Sequence, residues 1–178
     1  MHEVPSNLVR WLALACALFM GLALTGCNPP APRVAPAMAV GITGYNFTNE
    51  GVQEFYVNGN YASNLPPYGG GGGVSCCVSL PGQWTPGLTV KVDWTMGHWT
   101  TLYETRKHLT IAEQIKCCSI ERTLSKTVPV ERYGEESGNV QVFFLPNDEI
   151  KVWVYDAGPQ NPNHPSHMGY PKNPAKAE

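Results

Sequence analysis

Hydrophobic and polar residues alternate along several stretches of the chain, with the period of two that is typical of a half-buried β-strand. The clearest run spans residues 88–96. Its apolar positions are Leu88, Val90, Val92, Trp94 and Met96. Because successive side chains of a strand point to opposite faces, these five would share the buried face. The run therefore predicts a strand, and Trp94 is expected in the core.

Two shorter apolar runs near the end of the chain, residues 140–145 and 150–155, predict a pair of strands. Residues 146–149 between them are Pro, Asn, Asp and Glu. These residue types supply the backbone preferences of a turn, so the two strands should form a hairpin.

The beginning of the same region shows two more strand-like runs, residues 41–48 and 52–57. The polar turn between them predicts a first hairpin, and Asn58 with Gly59 marks the next turn, because both residue types tolerate positive φ. A weaker strand is predicted over residues 125–133. Pro129 favours an edge position for it, since proline cannot donate a ladder hydrogen bond.

One stretch favours a short helix. Thr110 and Glu113 have the spacing of a capping box, in which each side chain satisfies a free backbone amide at a helix start. Ile111, Ile115 and Cys118 would then share one helix face, although the β-branched residues leave a strand as the alternative. Many short strands, Gly/Pro turns and at most one short helix predict a mainly β fold, either an antiparallel β-sandwich or a small open barrel.

The first 26 residues have the pattern of a bacterial lipoprotein signal peptide. Arg10 precedes an apolar run that is shorter than the about 20 residues a membrane-spanning helix needs. The run ends in a lipobox formed by Leu24, Thr25, Gly26 and Cys27. We expect cleavage before Cys27 and acylation of its thiol, which would anchor the chain in a lipid bilayer. An ordinary secretory signal or an anchor helix is the alternative.

The residues after the lipobox predict where the chain resides and how it is divided. Asn28 stands where an inner-membrane retention signal usually has Asp, which favours the periplasmic face of the outer membrane. Residues 27–39 are rich in Pro and Ala and predict a tether. Residues 40–157 should form one β-rich domain, and residues 158–178 a Pro-rich tail that hugs the surface or hangs loose. A net charge of −2 argues against nucleic acid as a partner.

Apart from acylated Cys27, four cysteines remain after processing: Cys76, Cys77, Cys117 and Cys118. The oxidising periplasm would allow them to form structural disulfides. Adjacent Cα atoms lie about 3.8 Å apart, below the usual range for a disulfide, so we expect each member of one pair to bond a member of the other. Zinc is the alternative. It is disfavoured because structural zinc ligands usually lie about two to four residues apart within each half.

No catalytic constellation emerges, so neither an enzyme nor a cofactor is expected. The glycine run at residues 69–73 lacks the Lys-Ser or Lys-Thr that completes a P-loop, and the elbow-like stretch around Ser75 lacks its closing glycine. His164 and His167 could chelate a metal, but histidines in Pro-rich loops often have no such role, and no metal site is predicted. Carboxylates are too scattered for paired acid–base work.

Two exposed features are candidates for contact with a protein partner. Gly70, Gly71 and Gly72 should lie in a mobile loop whose backbone a partner can approach closely. Trp84 lies in a turn-rich stretch and is expected at the surface, where a rigid amphipathic ring suits an interface.

Several segments together resemble a family of uncharacterised Gram-negative bacterial lipoproteins, catalogued as domain of unknown function 3304. The matching segments are residues 43–48, 66–81, 84–94, 128–133 and 144–150 and the His-Pro part of the tail. Residues 97–126 match less well. The family carries no established activity, but its members resemble small companions of type VI secretion lipase toxins, which implies an immunity role. The alternative is an envelope-structural lipoprotein that contacts peptidoglycan or an envelope assembly.

Overall fold

The computed structural model describes residues 36–134 and 138–176, which form a sandwich of two β-sheets. The first sheet is built around β1 (Ala37–Asn46). The antiparallel strands β4 (Gly69–Gly70) and β5 (Ser75–Pro81) pair with one edge of β1. On its other edge β8 (Asn139–Phe144) runs parallel to β1, and β9 (Ile150–Tyr155) follows antiparallel.

The second sheet contains four antiparallel strands in the order β3–β2–β6–β7. They are β2 (Gly51–Val57), β3 (Asn60–Tyr61), β6 (Thr89–Trp99) and β7 (Ser119–Pro129). The predicted mainly β, sandwich-like fold is confirmed. The predicted strand at residues 88–96 is confirmed as β6, and the edge position predicted from Pro129 is confirmed for β7.

The core lies between the two sheets and follows the period-two pattern of the sequence. Val90, Val92, Trp94 and Met96 are all buried, as the alternation predicts. The ring of Trp94 lies against Phe144 of the opposite sheet, with centroids 6.0 Å apart. Burial of one large apolar side chain contributes about 1.5–3 kcal/mol, so this shared interior is the main stabilising feature.

The hairpin predicted for residues 41–57 is wrong, because β1 and β2 belong to different sheets. The chain turns from one sheet to the other at a corner held by Asn46. Its buried amide nitrogen donates to the carbonyl oxygens of Glu50 (2.7 Å) and Pro66 (3.0 Å), and its Oδ1 accepts from the backbone amide of Thr48 (3.0 Å). The polar residues that suggested a tight turn instead form the hydrogen bonds of this corner.

The other two predicted turns are confirmed. β8 and β9 form the predicted hairpin across residues 146–149. Asn58 and Gly59 join β2 to β3 with φ of 49° and 80°, the two positive values that a type I′ turn requires.

A helical insertion separates β6 from β7. It contains α1 (Tyr103–Arg106) and α2 (Ile111–Cys118), so the described residues include two α-helices where at most one was expected. The predicted capping box is confirmed: the Thr110 amide donates to Glu113 Oε2 (2.8 Å), and the Glu113 amide donates to Thr110 Oγ1 (3.3 Å). Within the described residues, neither helix has the length and apolarity needed to cross a bilayer.

The direction of β1 defines two ends of the sandwich. Ala37 pairs with Pro81 at the end where the chain enters, which we call the tether pole. Asn46 lies about 30 Å away at the far pole, since a strand rises about 3.3 Å per residue. The helical insertion extends β6 at the far pole, because Gly51 beside the Asn46 corner pairs with Gly97. The signal peptide and Cys27 lie outside the described residues.

The tail after β9 packs on the outer face of the first sheet. His164 is fully buried there, between the rings of Phe143, Trp153 and Tyr155. Of the two expectations for the tail, the surface-hugging one describes residues 158–176. The strand β1 also begins three residues before the predicted domain boundary at residue 40.

Candidate functional site

The residues predicted to contact a partner do not form one surface. Gly70 pairs with Tyr45 near the far pole. Trp84 lies at the tether pole, where its indole Nε1 donates to the carbonyl oxygen of Val130 (2.8 Å). The length of the sandwich therefore separates the two features.

Trp84 is less exposed than predicted. It is half-buried and packs against the main core, and its single polar atom already has a hydrogen-bond partner. The turn-rich sequence around it suggested a surface ring. In the structure, the ring instead covers the core at the tether pole.

The glycine run divides into a fixed half and an open half. Gly70 belongs to β4, and its carbonyl oxygen accepts from the hydroxyl of Tyr170 (2.8 Å). At Gly71, φ is +67° and a Cβ atom would lie 2.7 Å from the Tyr45 ring, so glycine is needed there. Gly72 and Gly73 are exposed, and a Cβ atom at either would meet nothing within 4 Å.

The predicted pairing of the cysteines is wrong, because each cysteine is bonded to its neighbour. Cys76–Cys77 and Cys117–Cys118 are both vicinal disulfides. The crossed pairing was predicted because adjacent Cα atoms lie closer than the usual range for a disulfide, but it also requires the two pairs to lie near each other. β5 instead belongs to the first sheet, whereas Cys117 and Cys118 end α2 beside the second sheet.

His164 stabilises the packing of the tail. Its Nδ1 accepts from the amide of Ser166 (3.1 Å), which leaves Nε2 to donate to Gln141 Oε1 (3.2 Å). Both nitrogens are used by a neutral ring, and burial lowers the pKa of His164 below its ordinary value. Among the described residues, no group of three or more His, Cys, Asp or Glu side chains could hold a metal ion.

The helical insertion exposes an unusual amount of apolar surface. Six large side chains on the insertion and on the adjoining ends of β6 and β7 are exposed, and we call them the apolar cap. They are Trp99, Leu102, Tyr103, Ile111, Ile115 and Ile120. Leu102 is 78% exposed and Ile111 68%. The helix face predicted from Ile111 and Ile115 therefore points to solvent and does not pack on the sandwich.

A buried cation lies within this apolar cap. The guanidinium of Arg106 lies 4.2 Å from the ring centroid of Trp99 and 5.6 Å from that of Tyr103, and Arg106 is only 8% exposed. Its Nη1 donates to the carbonyl oxygen of Thr101 (2.6 Å), whereas its buried Nε has no partner. No carboxylate within the described residues pairs with it. The two rings offset part of the cost of burying this charge.

An open groove adjoins the apolar cap. It has a volume of about 490 Å³ and is lined by Pro66, Pro67, His98 and Trp99, among others. A second hollow of about 410 Å³ shares Pro66 with it and reaches the open half of the glycine run. Trp99 of the apolar cap thus lines the groove, and Pro66 joins the groove to the hollow beside the open glycines.

Ion pairs stabilise the Asn46 corner, which lies next to the groove. Glu50 binds Arg122, whose Nη2 also donates to Asp148 Oδ1 (2.6 Å). The hydrogen bond from Arg122 lowers the pKa of the Glu50 carboxyl, and a further contact with His98 Nδ1 (3.0 Å) lowers it as well. These contacts join β7, the Asn46 corner and the β8–β9 turn beside the groove.

The sequence predicted α2 and its apolar face, but it did not indicate that they belong to a site. The usable signal was an amphipathic helix in an otherwise β domain, flanked by Trp99 and Tyr103. Periodicity alone could not tell whether that face packs inward or remains exposed.

Comparison with known proteins gives one match. The family model described as a protein of unknown function (DUF3304) matches residues 45–152. No curated protein and no solved structure matches the chain.

Proposed function

This chain belongs to the DUF3304 family of proteins of unknown function, and from that premise we propose that it is a protein-binding lipoprotein. Acylated Cys27 would hold it at the periplasmic face of the outer membrane. It would act by covering a partner protein with the face at its far pole, without chemistry of its own.

The apolar cap is the observation that carries this proposal. Scattered exposed apolar residues are ordinary, but six large ones lie within residues 99–120, and four of them are on the helical insertion itself. Trp, Tyr and Arg are the residue types that dominate protein–protein binding energy. Trp99, Tyr103 and Arg106 stack together at the base of this patch.

The charges of the insertion specify the chemistry of the partner. Lys107 pairs with Glu104, and Glu113 is occupied by its capping box, so neither carboxylate serves Arg106. Lys116 adds a further cation on α2. A partner segment that combines apolar side chains with a carboxylate would fill the patch and supply the missing counter-ion.

The entry point of the chain favours a protein over the anchoring membrane as the occupant. Residue 36 enters at the tether pole, about 30 Å along β1 from the far pole. The apolar cap thus lies at the end of the sandwich opposite to Ala37. The partner we propose is a type VI secretion lipase toxin, as the family resemblance implies, with this chain as its immunity protein.

The test is a titration of a purified type VI lipase of the same bacterium with the full-length chain in detergent. We expect lipase activity to reach its minimum at one molecule of this chain per molecule of lipase. Leu102→Asp should weaken inhibition by roughly tenfold or more, because truncating a central contact costs about 2 kcal/mol. Leu102 is mostly exposed, so this change leaves the core intact.

Tyr61→Asp is the matched control. Tyr61 is also an exposed large side chain (52%), but it lies on β3 at the other end of β2 from the apolar cap. The Tyr61→Asp chain should inhibit the lipase to the same extent as the unchanged chain. Absence of inhibition, or equal loss with both variants, would overturn the proposal.

A further inference from the structure

The groove beside Trp99 differs in its chemistry from the apolar cap that it adjoins. Three primary amides line it, those of Asn49, Gln53 and Asn64. All three residues are exposed, and none of these side chains forms a hydrogen bond with another described residue. Among the described residues of the lining, none is Asp, Glu, Lys or Arg. The groove therefore presents neutral donors and acceptors that the described part of the chain does not use.

Two facing glycines leave space in this groove. Gly51 of β2 pairs with Gly97 of β6, so neither strand places a side chain there. The register between these strands shifts between Val52 and Glu54, which makes Gln53 the extra residue of a β-bulge. Its Nε2 atom lies 3.4 Å from the position that a Cβ atom would take at either glycine. The bulge thus directs a free amide over the space that the glycines leave.

Trp99 supplies an aromatic ring to the same groove. The residue is 42% exposed, and the guanidinium of Arg106 lies over one face of its ring, 4.2 Å from the centroid. An indole has two faces, so this cation cannot cover both. The face of an aromatic ring is negative, and the polarised C–H groups of a sugar ring can stack on it. An indole beside unpaired amides is therefore a combination that suits a hydroxyl-rich ring.

The neighbouring hollow extends this uncharged surface. It shares Asn64 and Pro66 with the groove, and the described residues that line it also include no Asp, Glu, Lys or Arg. A third hollow, of about 380 Å³, provides the contrast, because Glu50, Arg122 and Asp148 line it and Arg122 pairs with both carboxylates. The uncharged lining is thus specific to the groove and the hollow beside it.

We propose that the groove and the adjoining hollow bind a short neutral oligosaccharide. The groove volume of about 490 Å³ falls within the about 300–1,000 Å³ that is typical of small-molecule sites. Sugar hydroxyl and acetamido groups donate and accept hydrogen bonds, as the primary amides do, while the sugar ring stacks on Trp99. A charged ligand would lose hydration without gaining a counter-ion from this lining. The proposed protein-binding function does not use Gln53 or Asn64.

The test is a calorimetric titration of the purified full-length chain with two neutral trisaccharides, tri-N-acetylchitotriose and cellotriose. The detergent must lack a sugar headgroup, because a maltoside would compete for the site. We expect saturable binding of at least one trisaccharide. Tighter binding of tri-N-acetylchitotriose would identify acetamido groups as the partners of the amides, and equal or tighter binding of cellotriose would identify hydroxyl groups. Either result supports the proposal, and no binding of either sugar at millimolar concentration overturns it.

The double variant Gln53→Ala/Asn64→Ala locates the binding site. It should weaken sugar binding by roughly tenfold or more, because two hydrogen-bonding side chains are lost. Gln160→Ala is the matched control, since Gln160 is also exposed, has no hydrogen bond within the described residues and lies in the tail after β9. An unchanged affinity in the double variant, or an equal loss in the control, would overturn the proposal.

A second measurement needs no change to the groove. In an NMR spectrum of the chain with isotope-labelled tryptophan, the indole signal of Trp99 should shift on addition of the trisaccharide. The indole of Trp84, which donates to Val130, should not shift. A shift of Trp84 without one of Trp99 contradicts the proposal. Leu102→Asp should leave sugar binding unchanged, and neither measurement contains a lipase, so this proposal and the protein-binding function can fail separately.

Discussion

At the scale of single residues, His164 shows how one buried polar side chain holds a Pro-rich segment in place. The tail has no strand or α-helix of its own, yet the ring stacks on Phe143 at 5.6 Å and donates to Gln141. Gln141 in turn donates to the carbonyl oxygens of Tyr155 and Ala157 (3.0 and 2.8 Å). The ring accepts from the Ser166 amide only in its neutral state, so protonation of Nδ1 would break that hydrogen bond.

This arrangement predicts that stability decreases in mild acid. Burial lowers the pKa of His164 in the folded chain, whereas the unfolded chain titrates near the ordinary value of 6.5. The unfolded state therefore binds the proton first. Stability should be constant above pH 6.5 and fall by at most about 1.4 kcal/mol per pH unit below it, down to the folded pKa. Urea unfolding midpoints at pH 7.5 and 5.5 measure this loss.

Two variants isolate the contribution of that ring. His164→Asn should be less stable at pH 7.5 and should lose less of its stability on acidification than the unchanged chain. His108→Gln removes an exposed histidine and should leave the loss in acid as it was. If His164→Asn shows the same acid loss as the unchanged chain, the neutral buried ring is not its source.

At the scale of elements, local chemistry could be predicted and long-range partners could not. The β6 alternation, the Asn58-Gly59 turn and the Thr110 capping box depend on residues close in sequence, and all three are confirmed. The placement of β1 and β2 in different sheets depends on the amide of Asn46 reaching Pro66, twenty residues away. The crossed cysteine pairing was predicted from a local distance, but it depended on a long-range contact, since β5 and the end of α2 lie beside different sheets.

The insertion also shows why an element can form without a packed face. An eight-residue helix is too short to be stable alone, and α2 buries only Gln114, whose Nε2 donates to the carbonyl oxygen of Leu109 (2.9 Å). Its start therefore depends on the capping box. Without that box, the apolar cap would lose its ordered backbone.

Removing the N-cap side chain of Thr110 should destabilise α2 alone. Thr110→Ala deletes one half of the capping box and should cost about 1 kcal/mol of local helix stability. Amide hydrogen exchange over residues 111–118 should speed up by roughly fivefold, which corresponds to that free energy. Thr127→Ala on exposed β7 is the control and should leave this exchange unchanged. Equal rates in Thr110→Ala and the unchanged chain would mean that packing, not capping, holds the helix.

At the scale of the whole molecule, the two ends of the sandwich differ. The chain enters at the tether pole, where Trp84 closes the core, and the exposed apolar surface lies at the far pole. The glycines predicted as contacts, Gly70, Gly71 and Gly72, all line the hollow next to the groove, but of the three only Gly72 has open space around it.

The measurement that tests this account most directly is photocrosslinking in intact cells that express a type VI lipase. Benzoylphenylalanine would replace Leu102 in one full-length chain and Tyr61 in another. The account predicts one discrete protein adduct from position 102, identified by mass spectrometry as the lipase, and none from position 61. A lipid adduct at position 102, no adduct there, or the same adduct from both positions would contradict it.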